Sequence, residues 1–285
     1  MITWRLERVR PRGVQPLEIW NLARGEDLLY EHLGTEGVER AEARGSSTDE
    51  IDARLFAAWR SMLEEVAGRG EPVFVGGGLL ERSGLRNRIR DPRVAFSRTS
   101  RFVGLSGAHA LAGDGALLLD LGQTALKLAL LGDTRSHALL ERPLAHLPRY
   151  PVERGGASAR TSAEQSARLA DWVSRALAAF LERWPTTRRE LMLALPCALD
   201  DAGVPGPCTY PGWAGDSTYV IRLLSRVEAL LPASHPWRDT EVRVRLLNDA
   251  ELAACSARAE AAMRQERMLV VTLGFGPGAA WLAPS

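Results

Sequence analysis

Four short stretches carry residues whose types and spacing could do chemistry. The first is Asp120-Leu-Gly122-Gln-Thr124-Ala-Leu-Lys127, an acidic residue closing one apolar run, a glycine at a turn, then a hydroxyl and a lysine entering the next run. Such a turn offers backbone N–H groups and the Thr124 hydroxyl to an anion, while Asp120 can hold a hydrated Mg²⁺. The same residues also read as a glycine hairpin with a surface aspartate. The second stretch is Asn248-Asp249-Ala250-Glu251, a carboxylate where a buried strand passes into a helix. Asp249 there serves equally well as a helix N-cap. The third runs from Thr272 through Gly274 and Gly276 to Gly278, a glycine-rich turn whose backbone can approach phosphates. The fourth is Gly76, Gly77 and Gly78 after Val73-Phe-Val75, at the end of a strand where open α/β sheets bind ligands, or simply a tight strand-to-helix turn.

One residue stands out by scarcity. Lys127 is the single lysine, so the other 35 of the 36 basic residues are arginine. An ammonium is a compact point charge that fits beside phosphate oxygens where a guanidinium fork would clash. Lys127 is equally the chance survivor of an arginine-biased composition.

Short apolar strands alternating with amphipathic stretches must position these residues, and that alternation predicts an α/β fold. Strands are expected at Thr3 to Arg8, Pro72 to Val75, Val94 to Phe96, Ala116 to Leu119, Thr124 to Leu131, His137 to Leu140, Leu191 to Leu195, Val242 to Leu247, Met268 to Val271 and Ala279 to Leu282. Helices are expected at Leu17 to Tyr30, Asp49 to Val66, Ser83 to Ile89, Gly104 to Ala112, Ser162 to Arg183, Ser217 to Leu231 and Asp249 to about Arg267. Leu117 to Leu130 can be laid on Leu269 to Leu282 at an offset of 152 residues, each an apolar strand, a Leu-Gly turn and a second apolar strand. Such an echo predicts two domains of related fold, although chance similarity between two hairpins would look the same.

Composition bounds the function. The chain has 285 residues, 46% hydrophobic, with 36 basic against 35 acidic side chains and a net charge of +1. That balance argues against a disordered chain and gives no support to nucleic-acid binding. Three cysteines, Cys197, Cys208 and Cys255, share no metal-type spacing and make an odd number, so free thiols in a reducing cytoplasm are expected rather than disulfides. The first residues are charged where a signal peptide is apolar, and the longest uncharged run, Met268 to Ser285, is too short and too rich in glycine and proline to span a bilayer. No membrane association is expected. Trp59, Trp172 and Trp184 read as packing residues, and Arg86, Arg88 and Arg90 as a solvated face.

Together the four stretches resemble the phosphate, connecting and adenosine motifs of the actin-like ATPase superfamily (ASKHA), and within it the ROK family of repressors and sugar kinases. The D-x-G-x-T-x-x-K hairpin is similar to Asp120 to Lys127, the proline-bearing strand and Gly-Trp loop to Leu191 to Pro196 and Pro211-Gly212-Trp213, and the N-D-A helix start to Asn248-Asp249-Ala250. The second phosphate hairpin resembles Thr272 to Gly278, the adenosine motif Gly76 to Gly78, and the final glycine-rich helix Gly104 to Ala110. The order differs from the family's, since here the adenosine half comes first. Circular permutation accounts for this, with its break between the strand ending near Leu282 and the strand beginning at Ile2, and its join at Gly113-Asp-Gly115.

The resemblance implies two RNase H-like lobes around a central cleft, with residues 1–112 plus 263–285 as the adenosine and second-phosphate lobe and 113–262 as the first-phosphate and acceptor lobe. It implies ATP and Mg²⁺ as cofactors, Asp249 as general base, and Asp120 as the Mg²⁺ residue acting through water. Gly122, Thr124, Lys127, Thr272, Gly274, Gly276 and Gly278 would hold phosphates, and Gly76, Gly77 and Gly78 would lie against adenosine. Asn248, Pro196, Thr209 and Trp213 would line the pocket of a small hydroxyl acceptor, such as a sugar, and a homodimer is the family's usual assembly. Departures exist: no Glu-x-Gly-His motif occurs, Gln123 stands where a second glycine is common, and Thr209 replaces an asparagine. A catalytically inactive nucleotide-binding relative that regulates a partner is therefore the competing expectation. A repressor is disfavoured, because no helix-turn-helix precedes the fold.

Overall fold

The computed structural model describes residues 1–284 except 20, 68–69, 123–124, 142–158, 207–212 and 261–266. The first part of the chain forms β1 (Thr3–Arg8), β2 (Val14–Leu17), β3 (Ala23–Arg24), β4 (Asp27–Leu28), α1 (Leu29–His32), α2 (Thr35–Ala43) and α3 (Thr48–Val66). Then come β5 (Val73–Gly76), α4 (Leu79–Arg82), α5 (Leu85–Arg88), β6 (Val94–Phe96) and α6 (Leu105–Ala112). The hairpin strands β7 (Leu117–Leu121), β8 (Ala125–Leu130) and β9 (His137–Glu141) lead to α7 (Ala159–Arg183). The chain ends with β10 (Glu190–Leu195), α8 (Tyr219–Leu230), β11 (Glu241–Asn248), α9 (Asp249–Glu260), β12 (Met268–Leu273) and β13 (Pro277–Leu282). No described helix is long and apolar enough to cross a membrane.

These elements divide into two compact units: Met1–Arg10 with Leu111–Asp249, and Pro11–Ala110 with Ala250–Ser285. The division departs from the expected boundaries at two places, and hydrogen bonding and packing explain both. β1 pairs in parallel with β11 from Thr3↔Glu241 to Arg8↔Leu246, which draws the first ten residues into the first unit. α9 buries Ala250, Ala253, Ala254 and Ala257 against Met268, Val270, Ala280 and Leu282, which places it in the second.

The first unit is built on a six-stranded sheet in the order β9-β8-β7-β10-β11-β1. β7, β8 and β9 form an antiparallel meander, while β7, β10, β11 and β1 run parallel. The central strands β7 and β10 are buried along their whole length, as expected of uninterrupted apolar runs covered on both faces. The second unit has a five-stranded sheet in the order β2-β13-β12-β5-β6. β12, β13 and β2 are antiparallel neighbours, and β12, β5 and β6 are parallel. Counted from β7 and from β12, both sheets read third, second, first, fourth, fifth, and the first sheet adds β1 beyond its fifth strand. In the second unit the third strand is supplied by β2, from the other end of the sequence.

α3 shows how local sequence sets an element. Ser47 caps it with Glu50 three residues on, and Ile51, Leu55, Trp59, Met62 and Leu63 recur at helical spacing on the buried face. α6 and α9 pack closely because Gly104 and Gly107 present no side chain to Leu252, and the Gly107 N–H donates to Ser256 Oγ at 2.7 Å.

Three expectations are corrected. Leu17 to Tyr30 is not one helix, because Val14–Leu17 pairs with β13 and Gly25, at φ +69°, turns the β3–β4 hairpin. Ser83 to Ile89 is shortened to α5, Leu85–Arg88, because Ser83 and Gly84 form the break after α4, with the Gly84 N–H bound to Asp52 Oδ1 at 2.9 Å. The strand facing the C-terminal hairpin is Val14–Leu17, not the strand beginning at Ile2.

Candidate functional site

In the first unit, β7, β10 and β11 are neighbouring parallel strands, so their C-terminal ends share one edge of the sheet. That edge carries Asp120 at the end of β7, Pro196 just past β10, and Asn248 with Asp249 where β11 becomes α9. Asp120 is level with Ala194, and Leu195 with Asn248. With strands about 4.8 Å apart, the backbones of Asp120 and Asn248 lie roughly 10 Å from each other. The strand order reverses at β7, with the meander on one side and β10 on the other, and open α/β sheets bind ligands at such points.

Asp120 is buried and sits directly opposite Lys127 across the β7–β8 ladder, so the two side chains share a face. Lys127 Nζ donates to Asp120 Oδ2 at 2.7 Å. The Gly122 N–H closes the turn onto the Ala125 carbonyl at 3.0 Å. Thr124 and Thr209 lie outside the described residues. Asp249 is half-buried as the first residue of α9. Pro196 is half-buried too, and Asn248 is buried with its amide bonded to backbone.

Trp213 is enclosed within the first unit. It is 2% exposed, belongs to the core of the first unit, packs on Tyr219 with ring centroids 5.0 Å apart, and donates its indole N–H to Ser166 Oγ at 2.8 Å. Among the described residues the ring packs into the core; the resemblance implies a place in the acceptor pocket.

The second unit brings the remaining residues to the matching edge of its own sheet. Thr272 on β12 is level with Gly278 on β13 and with Gly76 on β5. Sequence reasoning missed what holds the hairpin tip: Gly34, Thr35 and Tyr30. The Thr35 N–H donates to the Gly274 carbonyl at 3.1 Å, a side chain at Gly34 would collide with the Phe275 carbonyl, and one at Gly276 would meet Tyr30 Cβ at 2.9 Å. Gly76 lies against Val103, and Gly77 adopts φ +119° hard against the Leu273 backbone with its N–H bonded to the Ser100 carbonyl at 2.8 Å. Gly78 and Gly274, by contrast, face open space.

The two hairpins correspond residue by residue except at their tips. Leu117 pairs with Leu130 and Leu269 with Trp281, so first strands repeat at 269 − 117 = 152 and second strands at 281 − 130 = 151. Asp120 therefore corresponds to Thr272, and Lys127 to Gly278. One tip carries an ion pair and the other is uncharged.

Chemically, the edge of the first unit offers two carboxylates and an ammonium, and that of the second offers backbone and a hydroxyl. A single carboxylate suits Mg²⁺, which keeps much of its water and is commonly held by one or two carboxylates with phosphate oxygens. Among the described residues no group of three or more His, Cys, Asp or Glu could hold a metal ion. Cys255 on α9 is buried, which pushes its thiol up to about 11, with Glu251 adding to the rise and Arg258 opposing it. No family model matches the chain, and no curated protein or solved structure matches it either.

Proposed function

We propose that this chain is an ATP-dependent phosphotransferase of the ROK type, with two RNase H-like lobes in circularly permuted order, acting on a small hydroxyl acceptor such as a sugar. The observation that carries it is the repeated strand order of the two sheets, with Asp120 and Asp249 at the same edge of the first. Coincidence would have to produce the order twice, and also supply the third strand of the second sheet from the distant end of the chain.

In this reading Asp249 accepts the proton of the acceptor hydroxyl as its oxygen attacks the γ-phosphorus, and the bond to the β–γ bridging oxygen breaks. Asp120 and its hydration would hold Mg²⁺, which supplies charge neutralisation at the phosphates when bound. Lys127 and Thr124 would stabilise phosphate charge, and the glycine-rich backbone of Gly274 to Gly278 is suited to the same task. Gly78 would lie beside the adenosine.

A second reading has its own support. Lys127 already occupies Asp120 Oδ2, which reduces the negative charge left for a metal, and the Glu-x-Gly-His motif is missing. Both suit a nucleotide-binding protein without turnover. A coupled assay of ADP release against a panel of hexoses and amino sugars separates the two. Wild-type turnover that falls roughly 10²–10⁴-fold in Asp249→Asn supports the enzyme. Nucleotide binding by calorimetry without turnover on any acceptor supports the second reading, and no nucleotide binding at all refutes both.

A further inference from the structure

We infer that Asn248 is a positioning residue, whose side-chain amide locks the segment after β10 to the strand end that carries Asp249. This rests on the proposed phosphotransferase reading only for its kinetic consequence.

The ladder between β10 and β11 ends at Leu195↔Asn248. Beyond it β11 turns into α9 at Asp249, so the carbonyls that leave β10 need a donor other than the next strand residue. Asn248 provides it: Nδ2 donates to the Cys197 carbonyl at 2.8 Å and to the Leu195 carbonyl at 3.3 Å. One side chain thus spans Pro196 from both sides and continues the sheet beyond its last backbone bond.

The segment so anchored is braced within itself. Asp200 Oδ1 accepts from the Ala202 and Val204 N–H groups at 2.9 and 2.8 Å, Leu199 bridges to Pro205, and the Gly206 N–H donates to the Ala198 carbonyl at 2.8 Å. It is held to the first unit by the two carbonyls that Asn248 binds, by the Gly215 N–H on the Pro205 carbonyl at 2.8 Å and by an Arg10–Asp201 ion pair. The next residue along β11 is Asp249. The resemblance assigns Asn248 to the acceptor pocket; with its Nδ2 bonded to backbone, it would also act on an acceptor through the loop.

The test is Asn248→Asp, which keeps the shape and turns an oxygen toward two carbonyl oxygens, with Asn248→Ser as a milder variant that keeps a hydroxyl donor. Amide hydrogen exchange is followed by mass spectrometry on the whole protein, alongside steady-state kinetics with whichever acceptor the panel identifies. The expected result is exchange in residues 198–206 faster by on the order of tenfold in Asn248→Asp and less in Asn248→Ser, with β7 and β12 unchanged. The acceptor KM rises by a similar factor, while the KM for ATP stays at the wild-type value. Unchanged exchange at 198–206 overturns the inference, as does an equal rise in both KM values, which would mark general loosening. If wild type turns over no acceptor, the phosphotransferase reading fails. The anchoring role is then decided by exchange alone, upheld by a change confined to 198–206 and overturned without one.

Discussion

Two adjacent glycines should respond oppositely to the same substitution. Gly77 sits at φ +119°, and a methyl there would be driven into the Leu273 backbone, which cannot rotate away. Backbone strain of about 1–3 kcal/mol and overpacking of about 1–3 kcal/mol together predict a loss of roughly 2–6 kcal/mol for Gly77→Ala. For a unit of this size that corresponds to a fall in Tm of roughly 6–18 °C. Gly78 has φ −65° and ψ −23° at the start of α4, with nothing within 4 Å of an added Cβ. There the methyl restricts the unfolded chain without straining the folded one, so Gly78→Ala should leave Tm unchanged or raise it by a few degrees. Differential scanning calorimetry of the two variants against wild type is the assay. A Gly77→Ala protein that melts with wild type, or a Gly78→Ala protein that falls as far as Gly77→Ala, would refute the reasoning. The stable variant is also informative about function. If Gly78 lies beside adenosine, Gly78→Ala should weaken ATP binding several-fold at unchanged Tm, and isothermal titration with wild-type affinity would remove it from the nucleotide site.

Three further outcomes follow from named contacts. Lys127→Met leaves the buried Asp120 carboxylate without its partner; with the lysine side chain 19% exposed, the loss should be roughly 1–3 kcal/mol, seen as a lower urea midpoint that Asp120→Leu partly restores. Burial, then the Arg238 cation, hold His235 below its ordinary pKa of 6.5, although the Leu181 carbonyl opposes them. The unfolded chain then binds the extra proton first, so stability is complete above pH 6.5 and declines as pH falls toward the folded value; His235→Gln should flatten urea midpoints measured from pH 7.5 to 5, and an unchanged slope would count against it. Cys197 and Cys255 are both buried, and in a Cys208→Ser background a thiol reagent at pH 8 should label neither until guanidinium unfolds the protein.

What could be read from the sequence was whatever a single element decides for itself. β1 alternates, β7, β10 and β12 are unbroken apolar runs, and α3 announces its start with Ser47 and Glu50. The failure between Leu17 and Tyr30 has a physical cause. Leu17, Ile19, Leu22, Leu29 and Leu33 all face one core, but they reach it from a strand, the irregular segment that follows it and the short helix α1. Apolar spacing reports burial and not the path that achieves it. At the candidate site, Asp120, Lys127, Asn248 and Asp249 were legible as residue types with a chemistry. Their partnerships were not: the Asp120–Lys127 pair depends on hairpin register, and the hold of Gly34 and Tyr30 on the second hairpin joins residues some 240 positions away.

The one-residue difference between the hairpin tips bears on what each unit could bind by itself. The tip joining β12 to β13 spans residues 274–276, short enough for the Gly274 N–H to reach the Gly276 carbonyl at 3.3 Å, and it is pinned by Thr35. Its counterpart joins Leu121 to Leu126 with one residue more, and a salt bridge rather than a packing contact stands behind it. A tip pinned by backbone and van der Waals contact presents fixed N–H groups whatever its surroundings. A tip backed by Asp120 and Lys127 can exchange that internal pair for external charges, the carboxylate toward a hydrated cation and the ammonium toward an anion. Arriving together, a cation and a polyanion would compensate both partners at once, whereas either alone would leave one of them unpaired. On the proposed reading, then, Mg²⁺ and ATP should bind with strong mutual dependence. Titrations of ATP at increasing Mg²⁺ should show affinity rising by an order of magnitude or more in wild type and scarcely changing in Lys127→Met; equal dependence in both proteins would show that the pair never opens.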